Sequence, residues 1–408
     1  IFMKTVFPEV VLRPTKEIPL LAGHPWVFSN AIEKEPKGAG LGDVVLVKTC
    51  RGKEIGIGTW NPLTSIRVRM LSRNSSDERD ADFFARRIAK ADAFRKKWLS
   101  SDTNGYRVVH AEADHLPGLI VDRYADVIVF QIHTAGMERF RAEIIAAIKT
   151  IFHPAAIVER SDLPGRKQEG LTDFPVKIHA GKISEPAAFL ENGMIFYADT
   201  LTGQKTGFFL DQRDARFLVR SKAAGRRVLN LFSYSGAFGV AAAMGGAASV
   251  VNADSSATAS ESAKKNFEAN GFSAADSRFR FERADIFARM KERKFFSSVG
   301  APYDLLVCDP PALAKSGSKI PQAKQAYLAL NTYAFEHLSR NGLLLTSSCS
   351  GRITSEDFRD ILKISAGHAR REVRLLEWLG HAADHAELLA FPEGRYLKTA
   401  LLQVTDVL

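Results

Sequence analysis

The sequence predicts an α/β protein: an open, mostly parallel sheet in its C-terminal half, preceded by a small β-barrel and a small α+β domain. Three observations carry this. From residue 228 onward, apolar runs alternate with helical runs, as a parallel sheet with crossover helices requires. Residues 9–71 instead hold short apolar runs between turn residues, the pattern of a small barrel. Between the two lie a long helical period and a group of strand-like runs. The expected domains are residues 1–76, 77–188 and 189–408.

Composition narrows the class. The 408 residues are 46% hydrophobic and 25% charged, as in a globular protein with sizeable cores. No apolar run reaches the roughly 18 residues of a membrane span. The first residues lack the basic-then-apolar order of a secretory leader. Cys50, Cys308 and Cys349 are too few and too far apart for a disulfide framework or a zinc site. A cytoplasmic protein without a metal is therefore expected. The net charge of +10 suggests a polyanionic partner, most simply nucleic acid.

In the first segment, strands are expected at 10–12, 44–47, 55–57 and 66–71, with turns at 36–38, 40–42, 51–53 and 61–62. Ile66, Val68 and Met70 alternate with Arg67 and Arg69, which gives a buried face and a basic face. Arg67 and Arg69 are the expected RNA contacts. In Gly23-His24-Pro25-Trp26-Val27-Phe28 the two aromatic rings could stack on bases, but are assigned to the barrel core.

The middle segment opens with a helix over 83–99, whose Phe84, Ile88, Ala91, Phe94 and Trp98 share helical spacing with Arg and Lys between them. Strands at 107–109, 119–121 and 127–132, a helix over 137–152 and a strand at 156–158 follow. Glu112, Asp114 and His115 lie in a turn without a nucleophile or metal-ligand spacing. Turn chemistry and inter-domain hydrogen bonding explain them better than catalysis. Residues 159–162 carry the same ambiguity.

A hairpin-like pair including 194–198 leads to the stretch 203–213, which holds Phe208, Phe209, Asp211 and Gln212. It reads either as a lid over a cofactor or as a loop packing Phe208 and Phe209 into a core. The strand at 228–232 then meets the turn Ser233-Tyr234-Ser235-Gly236 and a helix over 237–244. Such a turn offers N–H groups at a helix N-terminus and lets a ligand approach at Gly236. A second strand ends in Asp254, 18 residues past Gly236, near the spacing at which an acid meets a ribose. The full G-x-G-x-x-G pattern is absent.

The alternation continues through a helix at 256–270, a strand at 278–281 leading to Asp285, and a helix at 286–294. A strand at 303–308 leads to Asp309-Pro310-Pro311, and a helix is expected at 321–340. A strand at 342–348 then leads to Cys349, followed by a helix at 355–369. The runs 372–378 and 396–404 have no helix between them and are expected to pair antiparallel. Gly236, Asp254, Asp285, Asp309 and Cys349 all lie just past strand C-termini, the edge where open α/β sheets bind ligands. The prolines fix the backbone after Asp309, leaving carbonyls free for a base's exocyclic amine and Asp309 for a ring nitrogen. Cys349 is a nucleophile if polarised, or else a buried structural thiol; Cys308, inside its strand, is read as structural.

These residues resemble the bacterial S-adenosylmethionine-dependent ribosomal large-subunit RNA cytosine-5 methyltransferases of the methyltransferase I type, over nearly the whole chain. The marks are Gly23-His24-Pro25-Trp26, residues 112–124, Glu159-Arg160-Ser161-Asp162, residues 203–213, residues 230–236, Asp309-Pro310-Pro311, Cys349-Ser350 and residues 391–396. The resemblance implies a PUA-like RNA-binding barrel, a central domain and a Rossmann-like class I methyltransferase domain. It implies S-adenosylmethionine as cofactor and 23S ribosomal RNA as partner, with a homodimer left open. Phe232, Ser233, Tyr234 and Gly236 would hold the methionine part, Asp254 with Ser255 the ribose, and Asp285 with Ile286 the adenine. Phe208, Asp211 and Gln212 would close over the cofactor, which also reaches Asp309. Pro310, Pro311 and Lys315 would meet the target base, with Cys349 and Asp309 catalytic. Many RNA cytosine-5 methyltransferases carry a second Cys just after the motif-IV proline; here that place is Ala312. Two alternatives stay open: methylation of a guanine or adenine nitrogen on the same fold, and an inactive RNA-binding assembly factor.

Overall fold

The computed structural model describes residues 7–292, 302–314 and 317–407. The chain folds as two compact units. The first takes the chain up to Phe189 together with Ala198–Leu210 and Ala383–Gly394. The second comprises Leu190–Tyr197, Asp211–Ala382 and the chain from Arg395 on. The units are thus not contiguous in sequence: two stretches of the expected 189–408 segment belong with the first.

In the first unit, a six-stranded sheet runs in the order Trp26–Phe28, Ile66–Ser72, Glu54–Trp60, Val44–Lys48, Glu9–Leu12, Ile32–Lys34. Val10, Leu12, Val27, Val45, Val47, Trp60, Val68 and Met70 build its core. Phe28 departs from the expected core placement and is 37% exposed. Trp26 is half-buried; its indole N–H donates to Glu112 at 2.9 Å and its ring meets Phe391 edge-on at 4.6 Å.

The expected basic face at Arg67 and Arg69 needs correction. Arg69 is only 8% exposed, and its guanidinium makes hydrogen bonds of 2.6 and 3.2 Å to the two carboxylate oxygens of Glu169. A charge in so dry a place requires such a partner. Arg67 is half-buried and donates to the Pro62 carbonyl. Strict alternation misreads this strand because both of its faces are covered.

The second sheet of this unit has the order Lys177–Ala180, Ala156–Glu159, Val127–Ile132, Leu119–Tyr124, Gly105–His110. Helices Ala81–Lys96 and Arg141–Phe152 pack with it around Phe84, Ile88, Val121, Phe130 and Ile144. The helix expected over 137–152 is interrupted after the short turn Ala135–Glu138, where Phe140 leaves helical geometry (φ −104°, ψ 19°). Its buried ring lies 5.2 Å from that of Phe84. Asp80 caps Ala81–Lys96 by accepting from the Phe83 N–H. The buried stripe of this helix runs through Phe84, Ile88, Ala91 and Arg95, with no place for Phe94 and Trp98. Arg95, 1% exposed, is held by Asp114 at 2.6 and 2.7 Å and by the Asp384 carbonyl at 3.0 Å.

The second unit is built on a seven-stranded sheet. Its strands are β1 (Arg227–Leu231), β2 (Ser249–Asp254), β3 (Phe279–Arg283), β4 (Tyr303–Cys308), β5 (Leu338–Ser348), β6 (Arg371–Leu379) and β7 (Lys398–Val407). The spatial order is β3-β2-β1-β4-β5-β7-β6. The first five are parallel, whereas β7 runs antiparallel to both β5 and β6. Central strands covered on both faces read as near-continuous apolar runs, as Leu305, Leu306 and Val307 or Leu343, Leu344 and Leu345 do. The expected strand at 342–348 starts earlier, at Leu338, and shortens the preceding helix to Ile320–Glu336. The strand order reverses at β1 and β4, which opens a crevice beside their C-terminal ends.

Candidate active site

The turn after β1 is held by β2. Ser233 N–H donates to the Ala253 carbonyl at 3.0 Å and Tyr234 N–H to the Asp254 carboxylate at 2.9 Å. The other Asp254 oxygen accepts from the Ser256 N–H at 2.9 Å. Two backbone donors therefore fix a half-buried carboxylate at the strand end, with lone pairs left for a ligand. Phe232 and Tyr234 take positive φ (56° and 46°), a strained backbone held by these bonds.

Gly236 has φ 72°, but a Cβ there would lie 2.7 Å from the Ala263 Cβ. The glycine lets helix Ala257–Ala269 approach on the side a Cβ would occupy. Asp285 is exposed and accepts from the Ala288 N–H at 3.1 Å, at the start of helix Ile286–Glu292. The Ile286 side chain is buried in the core, and Ser255 is exposed beside Asp254. The Phe232 and Phe287 rings lie 5.5 Å apart.

Across the strand-order reversal, Asp309 follows β4 and accepts from the Gln212 side-chain amide at 3.0 Å. Gln212 is buried, and its amide oxygen has no hydrogen-bond partner among the described residues. Asp211, also buried, accepts from the Tyr396 hydroxyl at 2.6 Å. Phe208 belongs to the first unit, where its buried ring packs against Phe189 at 5.0 Å; this fits the core alternative for that loop. Pro310 is buried and Pro311 exposed, while Lys315 lies outside the described residues.

Cys349 follows β5, is partly exposed, and its thiol donates to the Pro310 carbonyl at 3.9 Å. The sheet thus brings Asp309, Pro310 and Cys349 together from neighbouring strands. Cys308, buried inside β4, is pushed up to about 12 by burial and then by the Asp309 charge, so it stays a thiol.

Three further residues complete this cluster, none of which the sequence had given a role. The Ser350 hydroxyl accepts from the Leu313 and Ala314 N–H groups at 3.1 and 3.3 Å and lies 3.2 Å from the Tyr327 hydroxyl. It pins the loop after Pro311 to the Cys349 turn. Lys398, buried at the start of β7, donates to the Ser350 carbonyl at 2.8 Å and the Tyr396 carbonyl at 2.9 Å. The available signal was a lysine inside the apolar run from Leu397 to Leu402. Ser350 stood among the marks of the family resemblance without a role, and nothing in the sequence set Tyr327 apart.

Among the described residues, no group of three or more His, Cys, Asp and Glu side chains could hold a metal ion. No described helix is long and apolar enough to cross a membrane.

Residues 171–370 match an S-adenosylmethionine-dependent methyltransferase family, and residues 10–73 a PUA-like domain. A protein of Shewanella denitrificans named ribosomal RNA large subunit methyltransferase I is 39% identical over 398 residues, 97% of this chain and 99% of its own length. A protein of the same name from Tolumonas auensis is 40% identical over 392 residues, 95% of this chain and 97% of its own. The crystal structure of a methyltransferase complexed with SAH superposes with a TM-score of 0.83 at 24% identity, covering 97% of this chain and all of the other.

Proposed function

The chain belongs to the ribosomal RNA large subunit methyltransferase I family, a group of S-adenosylmethionine-dependent rRNA methyltransferases, and on that premise we propose that it methylates C5 of a cytosine in 23S RNA through a covalent Cys349 adduct. The observation that carries this reading is the placement of a partly exposed thiol beside the Asp309-Pro310 turn. A nitrogen acceptor needs no thiol there. The cytoplasm, where ribosomal RNA is made in bacteria, is the proposed location.

The residues present suit the cofactor. Asp254, oriented by two N–H groups, would take the ribose hydroxyls, with Ser255 beside it. Asp285 would accept from the adenine amine. The buried Gln212 amide oxygen awaits a donor, and the methionine ammonium is one. When bound, S-adenosylmethionine supplies an electrophilic methyl group.

The remaining chemistry falls to the chain. Cys349 as thiolate forms a bond to C6 of the cytosine, and the electron pair of the C5–C6 double bond is displaced toward N3. Asp309 holds N3 and supports its protonation; the Pro310 and Pro311 carbonyls face the exocyclic amine. C5 is then the carbon that gains the methyl group. Loss of the C5 proton to a base sends the electron pair back between C5 and C6, and the carbon–sulfur bond breaks. Lys398 places its ammonium against the Cys349 turn, where positive charge favours the thiolate over the thiol.

RNA carrying 5-fluorocytosine tests the adduct, since fluorine at C5 cannot leave as a proton. A covalent protein–RNA complex is expected, dependent on S-adenosylmethionine and mapping to Cys349. Absence of that complex, on RNA that is methylated in its unsubstituted form, overturns the reading. Asp254→Ala is expected to weaken S-adenosylhomocysteine binding by roughly 10- to 100-fold, the value of hydrogen bonds to a charged acceptor. Calorimetry measures it, and an unchanged Kd removes Asp254 from the cofactor site.

A further inference from the structure

We propose that the exposed face of helix Ala81–Lys96 and its C-terminal extension to Trp98 is a docking surface for single-stranded RNA, which takes unstacked bases on Phe94 and Trp98 and phosphates on the cations between them. The proposal rests on the reading of the protein as an RNA enzyme, but not on the assignment of Cys349.

The face is unusual in three ways. Two large rings point out of it, Phe94 at 42% and Trp98 at 65% exposure, although their spacing matches the helix's own apolar stripe. Buried Arg95 takes the place in the stripe that either ring would otherwise fill. The rings are therefore left in water, four residues apart on one side of the helix.

Charge is the second feature. Arg86, Lys90, Lys96 and Lys97 are exposed along the same segment. Asp92 is the one acid between Phe83 and Leu99, and it is buried, bound to the Tyr106 hydroxyl at 2.7 Å and to Lys96 at 2.7 Å. Arg86, Lys90, Phe94, Lys97 and Trp98 thus form a run of cations broken by aromatic rings. Single-strand binding needs this combination, because every base has a π-face and every linkage a charge. A protein partner selected by two rings alone would not call for the cations.

The third feature is a cavity of about 320 Å³ against this face, lined by Arg87, Lys90, Phe94, Arg95, His115 and Glu387 among others. Its size is at the lower end of small-molecule sites, suitable for one base or nucleotide. Arg87 is fixed there, donating to the His115 carbonyl at 2.5 Å with its guanidinium 4.3 Å from the Phe83 ring centroid. Burial and the nearby Arg87 charge lower the His115 imidazole's affinity for a proton, so it enters neutral contacts at pH 7. The surface also supplies what buried Arg69 cannot, a cationic face open to a polyanion.

The test uses the full chain with a mixed-sequence single-stranded RNA and a duplex of the same length as competitor. Arg86→Ala/Lys90→Ala/Lys97→Ala is expected to bind the single strand at least tenfold more weakly. The slope of log affinity against log salt should fall by about 2, at roughly 0.7 for each phosphate no longer neutralised. Phe94→Ala/Trp98→Ala should weaken binding roughly 5- to 150-fold per stacked base while keeping that slope. Trp98 fluorescence should be quenched by RNA, and the quench should disappear in Trp98→Phe. Both multiple variants should bind S-adenosylhomocysteine like the parent, because the changed side chains are exposed. Wild-type affinity and slope in the cation variant overturn the proposal. So does a patch that instead holds a second copy, seen as self-association abolished by Phe94→Ala/Trp98→Ala with RNA affinity intact. Failure of the Cys349 reading would appear separately, as methylation that survives without the thiol while RNA affinity still depends on this helix.

Discussion

Cys349→Ala is expected to abolish methylation of ribosomal RNA, by a factor on the order of 10⁴ to 10⁶, while S-adenosylmethionine binding is retained. The size follows from the chemistry. C5 of cytosine attacks an electrophile only after addition at C6, so removal of the thiol removes the reaction path and not one interaction among several. The binding expectation follows from the structure, since the candidate cofactor residues Asp254 and Asp285 rest on bonds within β2, the β1 turn and helix Ile286–Glu292. Cys308→Ala is the matched control. Its thiol is buried in β4, so the substitution should cost about 1 kcal/mol of stability and leave the rate largely unchanged. Cys349→Ser separates the readings further: a hydroxyl keeps the turn's shape but is a far weaker nucleophile for C6, so it too should be inactive. Full activity in either Cys349 variant would move the acceptor to a ring or exocyclic nitrogen.

The parallel sheet was the most legible part of the sequence. Buried parallel strands are short apolar runs by necessity, and ligand-bearing positions fall at their C-terminal ends by topology. Hence β4 is placed to the residue, and Asp254, Asp309 and Cys349 do lie at strand ends. Other features depended on partners remote in sequence. Arg69 reads as a surface cation until Glu169, one hundred residues away, is seen to bind it. Phe94 and Trp98 read as core until Asp114 and the Asp384 carbonyl are seen to draw Arg95 inward. In each case the local period is correct and a tertiary partner decides which residue occupies the face. Lys398 is a different kind of omission, because the meaning of a buried lysine depends on the turn beside which it is buried.

The second large effect expected is on the pH dependence of the reaction, and it comes from Lys398. Its amine is lowered to about 8, chiefly by burial, while the Cys349 and Asp357 charges pull it upward. That coupling is reciprocal: a Cys349 anion stabilises the ammonium, and the ammonium stabilises the anion to the same degree. The other groups facing this cluster do not compete near neutral pH. The Tyr327 phenol is raised to about 12 and the Cys308 thiol to about 12, both mainly by burial, so each keeps its proton. Asp357 is held below the usual carboxylate range by its hydrogen bond from Lys324, so it stays charged. Asp309, as a carboxylate, would oppose a second negative charge at Cys349, which is why a cation matters there. Thiolate grows as pH rises, whereas the charge on Lys398 is present below about 8 and lost above it. The ammonium should therefore set the rising limb of the rate at lower pH than the thiol alone would, a help that fades as Lys398 loses its charge near pH 8. Lys398→Met should move the rising limb to higher pH and slow both methylation and iodoacetamide capture of Cys349 about tenfold at pH 7. Lys398→Arg, which retains its charge, should restore most of the capture rate and return the rising limb toward lower pH. Site-resolved mass spectrometry supplies an internal reference, because exposed Cys50 should alkylate identically in all three proteins. If Met and Arg variants lose activity equally, with the shape of the pH profile unchanged, Lys398 is a structural tie between the Ser350 and Tyr396 carbonyls and nothing more.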